Sequence, residues 1–554
     1  MNTMSSARTL LLAALLGSSL LSACGGSGGG DDANGTTNSY GYVAANDTVA
    51  VTGGTVAAAA ESTAQLRVFK AIPFAAPPVG ALRWKAPEPV RNWSGVRRSD
   101  SYSPACYQGN RPAGQPGAIL YQPVGDQSED CLYLNVWAGA TQATERRPVL
   151  LLLHGGGYQL GAGSQGNYNG SGLANRGAIL VTLNYRLGPL GFLAHPALSA
   201  ESPDRVSGNY ALQDAIAALK WVKANIGAFG GDPGNVTLLS ESAGSQLASV
   251  LLASPPAAGL FQRLVIESLA SLPADVPNTT LAQAEAAGST FAANLGAADL
   301  AALRAKTPQQ IMAGAGSVIA PVVDGVVWPD QLDLLLAQRK THDVPMLVGW
   351  NADEGTPYPP FATTLAGYQS TSAARYGDMA AQFRAVYPAN SDADVAALAF
   401  LPMRDSLFAW QAWSLARAHA AQRRSATYLY QFSRRPAYFA NQKFNELDPP
   451  ARYGAYHSLE QVYFYDNLDR SIPARPYVDT DRQLAGIASS FLVNFARNGD
   501  PNGAGLPTWP AFVNARSAAM GLGDSVAPTD IVGRPALDFF DAFYARRLGR
   551  AGPF

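Results

Sequence analysis

An excess of charge of either sign is missing from this chain. Its 40 basic and 41 acidic side chains leave a net charge of −1 at neutral pH. No basic stripe or acidic tail stands out, so nucleic acid and strongly charged partners are not expected. Long apolar runs are missing too. Past the first two dozen residues no stretch of 18 uncharged apolar residues occurs, which leaves no candidate for a membrane-spanning helix. Internal repeats are absent, and low complexity is confined to one Gly/Ser/Asp/Asn tract near the N-terminus. Only five histidines and three cysteines occur in 554 residues, so an imidazole base has few places to be. Apolar residues are plentiful: they make up 47% of the chain against 15% charged. That suits a large core, and the length prior alone would allow about two to four domains.

The N-terminus reads as a targeting segment. Arg8 supplies a positive start, and Thr9 to Leu21 is apolar but too short to span a bilayer comfortably. The run ends in Leu21-Ser22-Ala23-Cys24, which resembles the lipobox of bacterial lipoproteins, where a signal peptidase cuts before the cysteine and that cysteine carries the lipid. The expectation is therefore a signal peptide over residues 1–23, a lipidated Cys24 with a flexible tether over 24–40, and a single domain over 41–554. Gly25, not aspartate, follows the cysteine, which points to outer-membrane sorting in a Gram-negative envelope; a plain secretory signal is the alternative. With Cys24 so used, Cys106 and Cys131 remain, and an exported protein most simply bridges its last pair. Closing a loop of that size contributes roughly 3 kcal/mol in the chain-entropy picture.

Strand and helix signals alternate beyond that point. Pro148–Leu153, Ala178–Leu183 and Val236–Leu239 are continuous apolar runs of the kind buried on both faces of a mostly parallel sheet. Leu264–Ile266 and Pro345–Val348 look like later strands. Tyr210 to Ile226 is helical, with Leu212, Ile216, Leu219, Val222 and Ile226 at intervals of three and four. The rhythm predicts an α/β fold with helices flanking a parallel central sheet. The Ala-rich stretches 272–320 and 360–425 read as helical insertions covering one face.

Between the Val236 strand and a helix predicted over Gln246–Ala253 lies Ser240-Glu241-Ser242-Ala243-Gly244. A serine flanked by small residues between strand and helix is the layout of a nucleophile elbow. A serine hydroxyl is a weak nucleophile and needs a base, which needs an orienting acid. His154-Gly155-Gly156-Gly157-Tyr158 follows the Leu150–Leu153 strand. There the amides of Gly156 and Gly157, joined by that of Ala243, could face a developing oxyanion. Of the five histidines, His457 combines a late position with a glycine-started loop, Gly454-Ala455-Tyr456-His457. Asp353 and Glu354, just after the Met346 strand, both qualify as the acid.

These motifs, with Phe69–Gly80, Arg83-Trp84, Ser128–Trp137, Asn184–Phe192, Phe229–Pro233, Gly499–Gly503 and Trp509-Pro510, make the chain similar to the type-B carboxylesterase family, which includes cholinesterases and bacterial para-nitrobenzyl esterases. The resemblance runs from about Val49 to Phe512. It implies an α/β-hydrolase fold whose helical insertions cover the active site. It implies Ser242 as nucleophile, Glu354 as acid, His457 as base, and Gly156, Gly157 and Ala243 as oxyanion donors. Cys106–Cys131 matches the family's first disulfide. Glu241 and Ser268 fall where the family places supporting residues behind the triad.

Four departures stand out. Ser240 replaces the usual glycine of the elbow, so tighter packing is expected there. Glu267-Ser268-Leu269 replaces Gln-Ser-Gly. Ala297 and Ala302 stand where the second disulfide would be, and Tyr121 stands where cholinesterases place a cation-stacking tryptophan. The resemblance implies hydrolysis of a small-molecule carboxylic ester with no metal or organic cofactor. The rivals are a bulky-ester, polyester, feruloyl-type, carbamate or amide hydrolase, and an idle binding protein of the same fold.

Overall fold

A computed structural model describes residues 47–98, 100–109, 118–120, 124–314, 316, 318, 320–422, 424–442 and 450–550. The signal segment, Cys24, the tether and Tyr121 lie outside the described residues.

Ten strands form the main sheet: β1 (Arg67–Pro73), β2 (Tyr133–Ala138), β3 (Arg147–Leu153), β4 (Ile179–Leu183), β5 (Gly231–Glu241), β6 (Arg263–Glu267), β7 (Met346–Asn351), β8 (Thr427–Phe432), β9 (Ala519–Leu522) and β10 (Val526–Thr529). Their spatial order is β10-β9-β8-β7-β6-β5-β3-β4-β2-β1. From β4 through β3, β5, β6, β7 and β8 to β9 every pairing is parallel, and antiparallel strands close both edges. The predicted apolar runs are the central strands. Along β3, Leu151 and Leu153 join one apolar cluster while Leu150 and Leu152 join another, as the two-residue period of a strand buried on both faces requires. Helix Tyr210–Asn225 covers the first face with Leu212, Ile216, Leu219 and Val222. Helix Asp479–Asn498 covers the second with Leu484, Phe491, Leu492 and Phe495. Each such side chain, fully buried, is worth about 1.5–3 kcal/mol.

The Ala-rich stretches are helical as expected: Leu281–Asn294, Leu300–Arg304 and Pro308–Ala313 in the first, and a series from Leu365–Tyr376 to Trp410–Gln422 in the second. The second series contains a π-helical turn, Arg404–Ala409, a geometry frequent at functional sites. Strands β1, β2, β8, β9 and β10 have no counterpart in the sequence reading. Their residues mix polar, aromatic and small side chains (Thr427-Tyr428-Leu429-Tyr430-Gln431-Phe432, for example), so their strand character comes from pairing with neighbours and not from a local apolar run.

Candidate active site

Strand β5 ends at Glu241 and helix Ala243–Leu251 begins at once, three residues earlier than its apolar pattern indicates. Ser242 alone makes the turn, at φ 54° and ψ −124°, a region that non-glycine residues rarely occupy and that persists where the surroundings over-determine it. Its N–H donates to the Glu267 carbonyl at 2.9 Å, and its own carbonyl accepts from Gln246 N–H at 3.1 Å. Gly244 has to be glycine: a Cβ there would lie 2.1 Å from the Leu153 carbonyl oxygen. Ser240, in the place of the usual glycine, fits because its hydroxyl donates to the Val265 carbonyl at 2.6 Å and accepts from Ser245 Oγ at 3.2 Å.

The structure brings Ser242, His457 and Glu354 together. Ser242 Oγ lies 2.8 Å from His457 Nε2, and His457 Nδ1 lies 2.6 Å from Glu354 Oε2. All three are buried, with Ser242 7% exposed. Glu354 Oε1 accepts from Ser268 Oγ at 2.6 Å and from the Asn351 N–H at 2.8 Å. Asp353, the other acidic residue of that loop, points elsewhere. It accepts from Arg435 Nε and Nη2 at 2.7 and 2.8 Å and from the Ala455 N–H at 2.7 Å. The ring of Phe408, on the π-helical turn, lies 4.7 Å from the imidazole, and Tyr358 lies 5.9 Å from it. The second helical insertion thus reaches the site.

The glycine loop runs past the elbow. Gly156 has φ 113° and a Cβ there would sit 2.2 Å from the Leu160 carbonyl oxygen, while Gly157 has φ 60°. Neither these two N–H groups nor that of Ala243 has a hydrogen-bond partner among the described residues. Behind the loop, His154 stacks on Tyr185 at 4.3 Å. Its burial pulls the imidazole down to about 4, partly offset by its bond to the Gly155 carbonyl. His154 is therefore a neutral structural residue.

Three more buried carboxyl groups lie in the region of the His457 imidazole. Glu241 Oε1 is 3.2 Å from His457 Nε2 and accepts from Ser458 Oγ. Glu460 accepts from Asn351 Nδ2, and Ser268 Oγ is 3.4 Å from it. Glu267 accepts from Tyr465 Oη at 2.9 Å. Burial pushes all three above the usual carboxylate range. Burial also pulls His457 down, but the charges of Glu354 and Glu241 outweigh it and hold the imidazole up at about 9. The sequence reading did not single out Glu460, Asn351, Tyr465 or Phe408. Glu460 alone carried a local signal, three residues beyond His457. Among the described residues no group of three or more His, Cys, Asp or Glu is placed to hold a metal ion.

A sequence profile of the carboxylesterase family matches residues 45–530. Fumonisin B1 esterase of Sphingopyxis macrogoltabida is 36% identical over 496 residues, which cover 84% of this chain and 85% of that one. Para-nitrobenzyl esterase of Bacillus subtilis (strain 168) is 33% identical over 468 residues, covering 80% and 88%. Among solved structures, a thermophilic PNB esterase superposes with a TM-score of 0.74 at 31% identity, over 89% of this chain and 99% of that one. The fold is that of the α/β-hydrolases.

Proposed function

We propose that this chain, which belongs to the carboxylesterase family and is a carboxylic ester hydrolase, works through an acyl-enzyme formed on Ser242. His457 Nε2 takes the hydroxyl proton as Oγ attacks the ester carbonyl. The amides of Gly156, Gly157 and Ala243 receive the developing oxyanion, each such donor being worth about 2.7–4 kcal/mol in the barrier. His457 passes its proton to the departing alkoxide. It then takes a proton from water as that water attacks the acyl carbon, and returns it to Ser242 Oγ as the carboxylic acid departs. Glu354 holds the imidazole with Nδ1–H toward it and stabilises the imidazolium. Ser268 orients Glu354 from behind, and Glu241 lies beside His457 Nε2. The observation that carries the reading is the unbroken run Ser242 Oγ, His457, Glu354, at 2.8 and 2.6 Å.

The test follows release of p-nitrophenol from its acetate and butyrate esters, beside a Ser242→Ala control and labelling by a fluorophosphonate. Turnover and labelling that both vanish in the control are expected. Equal release by the two proteins would overturn the mechanism and favour an idle, ligand-binding relative of the enzymes. A panel graded in acyl and alcohol size, read with the aromatic wall of Phe408 and Tyr358 in mind, separates small esters from bulky ones. For location, Leu21-Ser22-Ala23-Cys24 and the tract after it support a lipid anchor in the cell envelope.

A further inference from the structure

Residues 454–460, which carry the base, form neither helix nor strand. They lie between the turn Pro450–Tyr453 and helix Gln461–Phe464, with backbone at positive φ on both sides of His457, Gly454 at 59° and Ser458 at 73°. The acid loop after β7 holds them through three tethers that run in opposite chain order. Thr356 Oγ1 lies 2.8 Å from the Tyr453 carbonyl. Asp353 bonds both backbone groups of Ala455. Asn351 Nδ2 donates to the Tyr456 carbonyl at 2.8 Å and to Glu460. This innermost tether differs from the other two. Its first acceptor belongs to the peptide that joins Tyr456 to His457, and its second lies three residues beyond the base. The N–H of the same residue donates to Glu354 Oε1 at 2.8 Å. Asn351 is fully buried, and its Oδ1 has no partner among the described residues. Turning the amide over would set that oxygen against the Tyr456 carbonyl and a Glu460 oxygen. An orphaned buried acceptor is costly, so the worth of this amide lies in its NH2 group.

We propose that Asn351 is the positioning residue that sets the acid against the base: its backbone fixes Glu354 Oε1, its side-chain amide fixes the peptide that carries His457, and Glu354 and His457 are thereby held as one unit. The inference rests on the serine-esterase reading of Ser242 and His457. Asn351 touches none of the reacting atoms. Its effect passes through two short contacts, 2.6 Å from Glu354 Oε2 to His457 Nδ1 and 2.8 Å from His457 Nε2 to Ser242 Oγ. Each half of the reaction loads a proton on Nε2 and then delivers it to a different oxygen, so the ring must keep its place while its charge changes. The imidazolium is drawn toward Glu354, and the tie at the Tyr456 carbonyl keeps Nε2 in reach of Ser242. The second acceptor closes a circuit. Glu460 lies 3.4 Å from Ser268 Oγ, whose hydroxyl donates to Glu354 Oε1, so the side chain and the backbone of Asn351 meet again at the acid. A misplacement of about 1 Å in such a set costs about a hundredfold in rate.

The experiment compares wild type with Asn351→Ala, Asn351→Asp and Thr356→Val. It reads kcat and KM on p-nitrophenyl acetate, Tm, and the far-downfield proton resonance of the His457 Nδ1–H held by Glu354. Asn351→Ala leaves the Tyr456 carbonyl its other donor, the Leu459 N–H at 3.2 Å, and is expected to fold. Its kcat is expected to fall about a hundredfold with KM little changed, and its resonance to shift upfield or broaden away. Asn351→Asp keeps the volume but exchanges the NH2 donor for an oxygen, and kcat is expected to fall at least as far. Thr356→Val cuts only the outermost tether and is expected to lower Tm while keeping the resonance. The proposal is overturned if Asn351→Asp turns over like wild type, which would make position 351 a matter of volume alone. It is overturned too if Asn351→Ala keeps its kcat, which decides the matter should the Asp variant not fold, or if wild type lacks the resonance. Loss of kcat and resonance in Thr356→Val as full as in Asn351→Ala would also sink it, since any loosening of the loop would then do the same. Undiminished activity in a Ser242→Ala control would instead sink the catalytic reading, and the resonance, read in that same background, would still judge Asn351.

Discussion

His457 sits between opposed forces: burial disfavours its charged form, and two carboxylates within hydrogen-bonding reach favour it. Catalysis needs the neutral imidazole in the free enzyme, so kcat/KM rises as pH passes through its pKa. Glu241→Gln removes one of the two favouring charges at 3.2 Å. The imidazole pKa must then fall, and the acid limb of kcat/KM is expected to move to lower pH by about one unit or more. A pH–rate profile of this variant checks it, and an unmoved limb would mean that Glu241 is uncharged or screened at the site. Ser240 shows what a residue-level reading misses. Its size was legible as tighter packing at the elbow, but the bonds to Val265 and from Ser245 that absorb it run to a neighbouring strand and the next helix, and no local pattern reveals them.

Between residue and molecule, the telling unit is the loop after β7. Its two acidic residues were chemically equivalent in the sequence, and only the family resemblance separated them. The structure divides them by direction. Glu354 turns inward to His457, while Asp353 turns to the loop that carries His457 and ties it through both backbone groups of one residue, Ala455. Its N–H donates to the Ala455 carbonyl at 3.0 Å, and its carboxylate accepts the Ala455 N–H. Arg435 completes the clamp, but its side chain is 65% exposed, so that ion pair is worth only about 0–1 kcal/mol. The backbone bond two residues before the base is the one that matters. Asp353→Ala is therefore expected to lower kcat roughly tenfold with KM little changed, because a displaced base weakens proton transfer more than binding. Arg435→Ala is expected to be nearly neutral. Steady-state kinetics of the two variants side by side test the asymmetry; equal losses would place the effect in the ion pair.

At the scale of the whole molecule, the strands that hold the site were readable because they are buried on both faces. Strands β3 to β7 each carry an apolar run, and the elbow, the glycine loop and the acid all sit at their carboxyl ends. The edge strands and the carboxyl cluster were not readable, since both depend on partners far along the chain: Glu267 and Tyr465 are 198 residues apart, and Glu354 and His457 are 103 apart. The Cys106–Cys131 bridge joins these two kinds of information. Expected from the two cysteines left in an exported chain and from the family resemblance, it is present in the structure across a separation of 25 residues. It lines a cavity with Arg83, Trp84, Glu129 and Leu187, where Arg83 grips both oxygens of Glu129 through its Nε and Nη2 and reaches the carbonyls of Arg304 and Lys306 in the first helical insertion through Nη1. The bridge thus fixes the segment from which one insertion is held. Replacing both cysteines by alanine removes a constraint worth roughly 3 kcal/mol in the unfolded chain, and Tm is expected to fall by several degrees. Because Arg83 and Glu129 reach the first insertion and not Ser242 or His457, turnover of p-nitrophenyl acetate at low temperature should survive the double replacement, with loss confined to bulkier esters that press on the insertion. Thermal melts and a two-substrate comparison measure both halves. An unchanged Tm would show that packing alone holds the segment, and equal loss on small and large esters would show that the bridge acts on the triad itself.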